Sequence, residues 1–235
     1  MGRGMLKTAA ATAAFGLIHS ALASRAVKAG VDRRFGRHAG EGPYRMAYVA
    51  QAVATSAALL AYVRRLPDRT IYEARGLPRV LMRGGQAAGL AYLLWGTHAV
   101  GAGRLAGLEG WRAWRRGDPE EIPAVEAQGP APGPDGAPRA VGPFRHARHP
   151  LNLAPVPILW LNPRMTANLL AFNLVATAYF VVGSLHEESR LRAAYGPAYA
   201  AYRRAGVPFY LPRPRPRRGA VPAPNPSEAR RGPGR

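Results

Sequence analysis

Four stretches of the chain run apolar for twenty residues or so, and a fifth runs apolar for about half that length. The first, Met5 to Val27, is unbroken by acid and sets Phe15, Leu17, Ile18 and Leu22 among many alanines. The second, Tyr44 to Val63, carries charge only at Arg45. The third, Val80 to Val100, holds Leu90-Ala-Tyr-Leu-Leu-Trp95 with Arg83 near its start. Then come the short run Leu151 to Leu161 and the long one Met165 to Leu185. A helix that crosses a bilayer needs about 20 mostly apolar residues, so the four long runs predict spanning helices. The short run contains Pro155 and Pro157, which predicts a broken or partly embedded arm. Asn162-Pro163 between the last two runs is a turn signal, and a reversal there makes the two arms antiparallel neighbours.

The polar positions complete the plan. Residues 117–141 are rich in Pro, Gly, Ala and Glu with nothing to bury, and predict an irregular linker. Residues 213–235 have the composition of a disordered basic tail. The expected organisation is three N-terminal spans in 1–116, the linker 117–141, a core in 142–212 that carries the hairpin, and the tail 213–235. Arg3, Lys7, the first apolar run and Ala21-Leu22-Ala23 before Ser24 also fit a secretory signal with its cleavage site. Four further apolar runs follow it, and a retained first span is the expectation.

Charge then decides between partners. Lys plus Arg is 33 against 13 acids, a formal net charge of +20, and all but Lys7 and Lys28 are arginines. Such an excess first suggests nucleic acid, since arginines neutralise phosphates. Here, however, the arginines bracket the apolar runs instead of interleaving with aromatics on helix faces, which is the pattern of membrane loops. No nucleic-acid partner is expected. Most basic residues fall in 25–45, in 101–148 and after Arg190, so the positive-inside rule puts those segments in the cytosol. The loop with Arg64, Arg65, Arg69, Arg75 and Arg79 dissents. With no cysteine, disulfides and thiolate metal sites are excluded, and no His/Asp/Glu group has metal spacing. The fold class expected is all-α: an integral membrane protein with about five transmembrane segments and a cytosolic C-terminal catalytic region.

Two polar clusters flank the last two runs. One is Gly142-Pro143-Phe144-Arg145-His146-Ala147-Arg148-His149-Pro150; the other begins His186-Glu187-Glu188 and continues through Tyr195-Gly196, Tyr199, Tyr202 and Val207-Pro208. If the arms are antiparallel, Arg148-His149 and Glu187-Glu188 emerge on the same side. Adjacent acids at a membrane edge are costly unless they meet cations or a ligand. The plain alternative is that they pair with Arg145, Arg148 or Arg190 in water. For each cluster alone that alternative is favoured; the combined order of motifs asks instead for a ligand with both a carboxylate and an amine, with Arg148 gripping the carboxylate and Glu187 accepting from the ammonium. S-adenosylmethionine is such a zwitterion.

In order and spacing, Arg148-His149-Pro150, Glu187-Glu188, Tyr195-Gly196, Tyr199, Tyr202 and Val207-Pro208 resemble the catalytic core of the integral-membrane methyltransferases. That superfamily includes isoprenylcysteine carboxyl methyltransferase, phospholipid N-methyltransferases, methanethiol S-methyltransferase and NnrU-like proteins. Trp160-Leu-Asn-Pro163-Arg-Met165-Thr166 and His19-Ser20-Ala-Leu22-Ala23-Ser24 most resemble the methanethiol S-methyltransferase branch. The resemblance implies S-adenosylmethionine as methyl donor and a multi-pass protein of the cell membrane, the bacterial inner membrane. It implies Arg148, Glu187 and Glu188 as the catalytic group. Gly142, Phe144, Arg148, His149, Pro150, Asn152, Glu187, Glu188 and Tyr199 are implied as the donor-binding set.

The chain departs from the family where Asn152 and Ala154 stand in place of Tyr and Gly, both expected to face the donor pocket. Gly183 stands where the isoprenylcysteine enzymes have an arginine, which disfavours a carboxylate acceptor. The acceptor implied is a small or hydrophobic thiol reaching the site from the bilayer; lipid or isoprenoid methylation, or a non-catalytic NnrU-like role, are the alternatives. His19 and His98 lie within spans, where a lone histidine is expected to bond to a neighbouring helix.

Overall fold

The long apolar runs form long helices. The computed structural model describes residues 2–36, 38–118, 129, 138 and 140–210; most of the expected linker and the whole basic tail lie outside them. Among the described residues the long elements are α1 (Arg3–Leu22), α3 (Pro43–Arg64), α4 (Gly76–Val100) and α9 (Ala167–Arg204). Shorter helices α2 (Arg25–Phe35), α5 (Ala102–Ala106) and α6 (Leu108–Arg116) connect them. Three helices, α1, α3 and α9, are long and apolar enough to cross a membrane. The third apolar run does form a 25-residue helix, α4. Arg79, Arg83 and Gln86 in its first half leave it less apolar than the other three, so it is not among those that meet the requirement for a span.

Local signals explain the ends. Ser24 caps α2 by accepting from the Val27 amide at 3.3 Å, and Thr166 caps α9 by accepting from Leu169 at 3.2 Å. Pro43 opens α3, where its missing amide hydrogen costs nothing. α4 stops at Gly101, whose φ of +96° a larger residue would resist.

Packing inverts the usual rule. The buried residues of α1 are Gly4, Thr8, Thr12 and Gly16, one per turn, while Leu17 and Ile18 face outward. A Cβ on Gly4 would strike the Pro67 carbonyl and Asn168, and one on Gly16 would lie 2.9 Å from the Tyr179 ring. Glycine and threonine thus let α1 approach α9 closely, with the two helices parallel. Val53, Leu60, Leu81, Leu90, Leu94, Val182 and Leu185 are exposed, a surface suited to lipid.

The short run is broken, as its prolines predict, into α7 (Pro150–Leu153) and α8 (Pro155–Trp160). Both lie against the glycine face of α4. A Cβ on Gly85 would collide with Leu161, one on Gly89 would sit 2.9 Å from Pro157, and one on Gly96 would sit 2.8 Å from Leu151. The arm also runs antiparallel to α9. Asn152 meets Ser184 (2.9 Å), the Leu159 carbonyl accepts from Asn173 (2.9 Å), and Trp160 donates to Thr177 (2.9 Å). Beyond the turn at Asn162-Pro163, a two-stranded sheet appears that the apolar pattern does not announce. β1 (Thr70–Glu73) pairs antiparallel with β2 (Arg164–Thr166), with Thr70 opposite Thr166 and Glu73 opposite Arg164. One end of the bundle therefore gathers the start of α1, the 65–75 loop and the hairpin turn. The other end gathers residues 22–36, 38–46, 100–118, 142–149 and the second half of α9.

Candidate functional site

At that second end, α9 outruns its apolar stretch and delivers Glu187 and Glu188 to the start of the broken arm. His149 precedes α7, and Pro150, whose ring suits a first helical turn, aims it inward. Glu187, Glu188 and His149 are almost fully buried, and Phe144 and Tyr199 fully so. Buried charges must be paired and hydrogen-bonded, and here they are. His149 Nδ1 lies 3.1 Å from Glu187 Oε2, and Nε2 lies 3.1 Å from Glu188 Oε1. Each ring nitrogen thus faces a carboxylate oxygen, and an ionised carboxylate only accepts, which favours the protonated ring. Burial alone would push its pKa down, but the two carboxylates outweigh burial and raise it.

Glu188 is the hub. Its Oε1 accepts from Arg148 Nε (2.7 Å), His149 and the Tyr199 hydroxyl (3.0 Å). Its Oε2 meets Arg192 (3.2 Å) and Arg203 (3.5 Å). Glu187 is less engaged, with His149 and Asn152 (3.4 Å) both at Oε2. Three arginines, Arg148, Arg192 and Arg203, stand around the two acids, and Arg192 and Arg203 are the more exposed of them.

The chain beyond Gly196 closes over this centre. Gly196 adopts φ +49°, ψ −124° inside α9, followed by Pro197, and the break turns the helix back. Tyr202 then donates to the Phe144 carbonyl (2.9 Å), and Leu191, Tyr199, Tyr202 and Val207 form one apolar cluster. Arg148 ties the returning strand down twice, its Nη1 donating to the Val207 carbonyl (2.7 Å) and its amide to Pro208 (2.9 Å). Phe209 lies beside His149, with ring centroids 4.7 Å apart, and beneath the Arg148 guanidinium at 5.7 Å. Tyr210 reaches Ser184 at 2.7 Å.

Of the residues singled out from the sequence, Arg148, His149, Asn152, Glu187, Glu188 and Tyr199 come together. Gly142 and Phe144 sit to one side. Gly142, at φ +51°, packs under Trp95 and Ala99 of α4, while Phe144 is held through its carbonyl by Tyr202. Pro150 is buried at the head of α7. Arg148, expected to grip a ligand carboxylate, here gives its Nε to Glu188 and its Nη1 to the Val207 carbonyl, and so locks the returning segment. Ala154 is buried against α4, its carbonyl beside Gly89, and does not join the charged cluster; only Asn152 does. Arg145 donates to the Ala140 carbonyl (3.0 Å), and its side chain meets no acid among the described residues. Sequence reasoning missed Arg192, Arg203, Ser184 and Tyr210. Arg192 alone had a visible signal, four residues after Glu188 on one helix face.

No family model matches the chain, and no solved structure matches it. Curated proteins do. Methanethiol S-methyltransferase 2 of Bradyrhizobium diazoefficiens is 43% identical over 70 residues, 30% of this chain and 27% of that protein. Methanethiol S-methyltransferase of Mycobacterium tuberculosis is 44% identical over 71 residues, 30% of this chain and 29% of its own length. The Pseudomonas deceptionensis protein of the same name is 33% identical over 89 residues, 38% of this chain and 34% of that protein. The chain thus spans about a third or less of the relatives it matches. Over that stretch it is similar to proteins named methanethiol S-methyltransferase, the branch that its motifs resemble.

Proposed function

We propose that the protein is a membrane-embedded methyltransferase that uses S-adenosylmethionine and methylates the sulfur of a small or hydrophobic thiol. The observation that carries the reading is the buried cluster of Arg148, His149, Glu187 and Glu188 at one end of an apolar hairpin. In this reading the bundle has five membrane segments: α1, α3, α4, the broken arm α7–α8, and α9 up to Leu185. The C-terminus and the cluster lie on the cytosolic side, with the arginine-rich segments.

The cluster fits the amino-acid end of the donor. Glu187, with both its bonds at one oxygen, is the acid suited to the ammonium. Arg192 and Arg203, half out in solvent and in excess over the acids, suit the carboxylate. Glu188 holds those cations in place, and His149 fixes Glu187. Bound there, the donor supplies a methyl group already activated by its sulfonium. The protein's part is to align the incoming sulfur and exclude water. Positive charge at the cluster favours a thiolate over a thiol.

The reading is tested with purified protein, labelled S-adenosylmethionine, and a panel of small thiols, prenyl-cysteines and phosphatidylethanolamine. Label in the thioether of a small thiol is expected. Label only in lipid or prenyl-cysteine would overturn the thiol acceptor. Donor binding without transfer to any of them would favour a non-catalytic role. Glu187→Ala should lower donor affinity at least tenfold by calorimetry.

A further inference from the structure

The end of the bundle away from the charged cluster carries a feature that methyl transfer does not use. Between the end of α3 and the middle of α4 stand Arg64, Arg65, Arg69, Arg75, Arg79 and Arg83, with only Asp68 and Glu73 as acids. This is the loop that dissents from the positive-inside rule. Asp68 is occupied by backbone, its Oδ1 accepting from the Arg69 amide (2.8 Å) and the Asn168 amide (3.0 Å). Glu73 stands opposite Arg164 of β2. Among the described residues none of the six arginines is in an ion pair. Arg83 donates to Gln86 (2.8 Å), which in turn donates to the Ile158 carbonyl of the arm (2.7 Å).

The start of α4 sharpens this charge into a pattern. From Arg75 to Leu81 every residue is exposed. Arg75, Arg79 and Arg83 recur every four residues, so they share one flank of the helix. Leu77, Val80, Leu81 and Gly84 follow the spacing i, i+3, i+4, i+7 and share another. Leu77 is 68% exposed and Val80 and Leu81 65% each, and a Cβ on Gly84 would meet nothing within 4 Å. Ile71 and Tyr72, just before the helix, are exposed as well. Two costs stand open at one place. Like charges four residues apart repel along a helix, and leucine and valine side chains are left uncovered.

We infer that the first half of α4 is a binding site for an acidic phospholipid, with the headgroup phosphate held by Arg75 and Arg79 and the acyl chains laid on Leu77, Val80 and Leu81. The inference needs the membrane placement proposed above and not the methyl transfer. Its occupant must bring negative charge and an apolar body together within the width of one helix, about 10 Å. A free phosphate brings only the charge, and a zwitterionic lipid adds a cation that the arginines repel. Planar guanidinium groups match phosphate oxygens in pairs, which suits an all-arginine flank. Tyr72, with its hydroxyl donating to the Asn162 carbonyl (3.1 Å), supplies an amphipathic ring at the same level, as residues at a headgroup boundary do. Lipid at this place neutralises arginines that no acid of the described chain meets.

The experiment is native mass spectrometry of the full chain purified in detergent and titrated with phosphatidylglycerol or phosphatidylcholine. Phosphatidylglycerol is expected to bind at least tenfold more tightly, with the preference shrinking as salt rises. Replacing both arginines, Arg75→Gln with Arg79→Gln, should reduce that preference about tenfold. Neither side chain makes a hydrogen bond or ion pair among the described residues, so the thermal midpoint should match that of the wild type. Arg112→Gln with Arg115→Gln, at the other end of the bundle, should keep the preference. Equal binding of the two lipids, a preference that survives the Arg75 and Arg79 changes, or an equal loss in the Arg112 and Arg115 variant overturns the site. Excess inorganic phosphate at matched ionic strength should leave the lipid bound; displacement would make this a site for free phosphate and overturn the lipid. A mass gain of one whole chain that the Arg75 and Arg79 changes remove would put a second copy here instead. A wild type that methylates nothing fails the function alone, since none of these readings depends on transfer.

Discussion

At the scale of single residues, His149 decides how the site behaves. Its two nitrogens face two carboxylates, which raises its pKa above the ordinary 6.5. A raised value means that the folded state binds the proton more tightly than the unfolded one. The stabilisation is therefore complete below about pH 6.5 and is lost as pH climbs through the raised value. In detergent, the thermal midpoint of the wild type should fall across that alkaline window, and His149→Gln should flatten the dependence. An equal slope in both would remove His149 as its source. The pairing of Arg148-His149 with Glu187-Glu188 was legible in the sequence, because the hairpin's turn signal and the opposite charges agree. The role of each was not. Spacing shows which groups can meet, but Arg148 chose Glu188 and Val207 only when the chain folded back at Gly196.

Helix seams tell a different story from single side chains. The twenty-residue runs and the break at Pro155 could be read directly from the chain, since length and proline act locally. The contact faces could not, because in helices apolar enough for lipid the largest apolar residues are not the ones sorted inward. What packs is Gly4, Thr8, Thr12 and Gly16 on α1, and Gly85, Gly89 and Gly96 on α4. Gly89→Leu should accordingly destabilise the bundle by about 1–3 kcal/mol or more through overpacking against Pro157 and Ile158. Its exposed neighbour Leu90→Ala should stay within about 0.5 kcal/mol. Unfolding in mixed detergent micelles compares the two, and equal effects would mean that the arm does not rest on this face. The strand pair Thr70–Glu73 with Arg164–Thr166 escaped notice for another reason. Strands of four and three residues are too short to carry a period.

For the molecule as a whole, the arrangement of ends makes a claim about sides. Arg69 lies at the end with the hairpin turn, and Arg116 at the end with the charged cluster. The chain has no cysteine, so single cysteines at these two positions give a clean readout. In sealed inverted vesicles a membrane-impermeant maleimide should label Arg116→Cys and spare Arg69→Cys. Labelling of both from one face would break the five-segment arrangement.

The broken arm also has a history, set by the direction of synthesis. Residues 150–160 leave the ribosome before α9 exists, so Asn173 and Thr177, which will bond the Leu159 carbonyl and Trp160, are not yet made. At this length the arm is too short to cross a bilayer by itself. The glycine face of α4 is already there, and its three notches accept Leu151, Pro157 and Leu161. That face is the one support for the arm that is synthesised ahead of it, so Gly89→Leu should reduce the yield of folded protein as well as its stability, which comparison of expression levels in the membrane fraction checks.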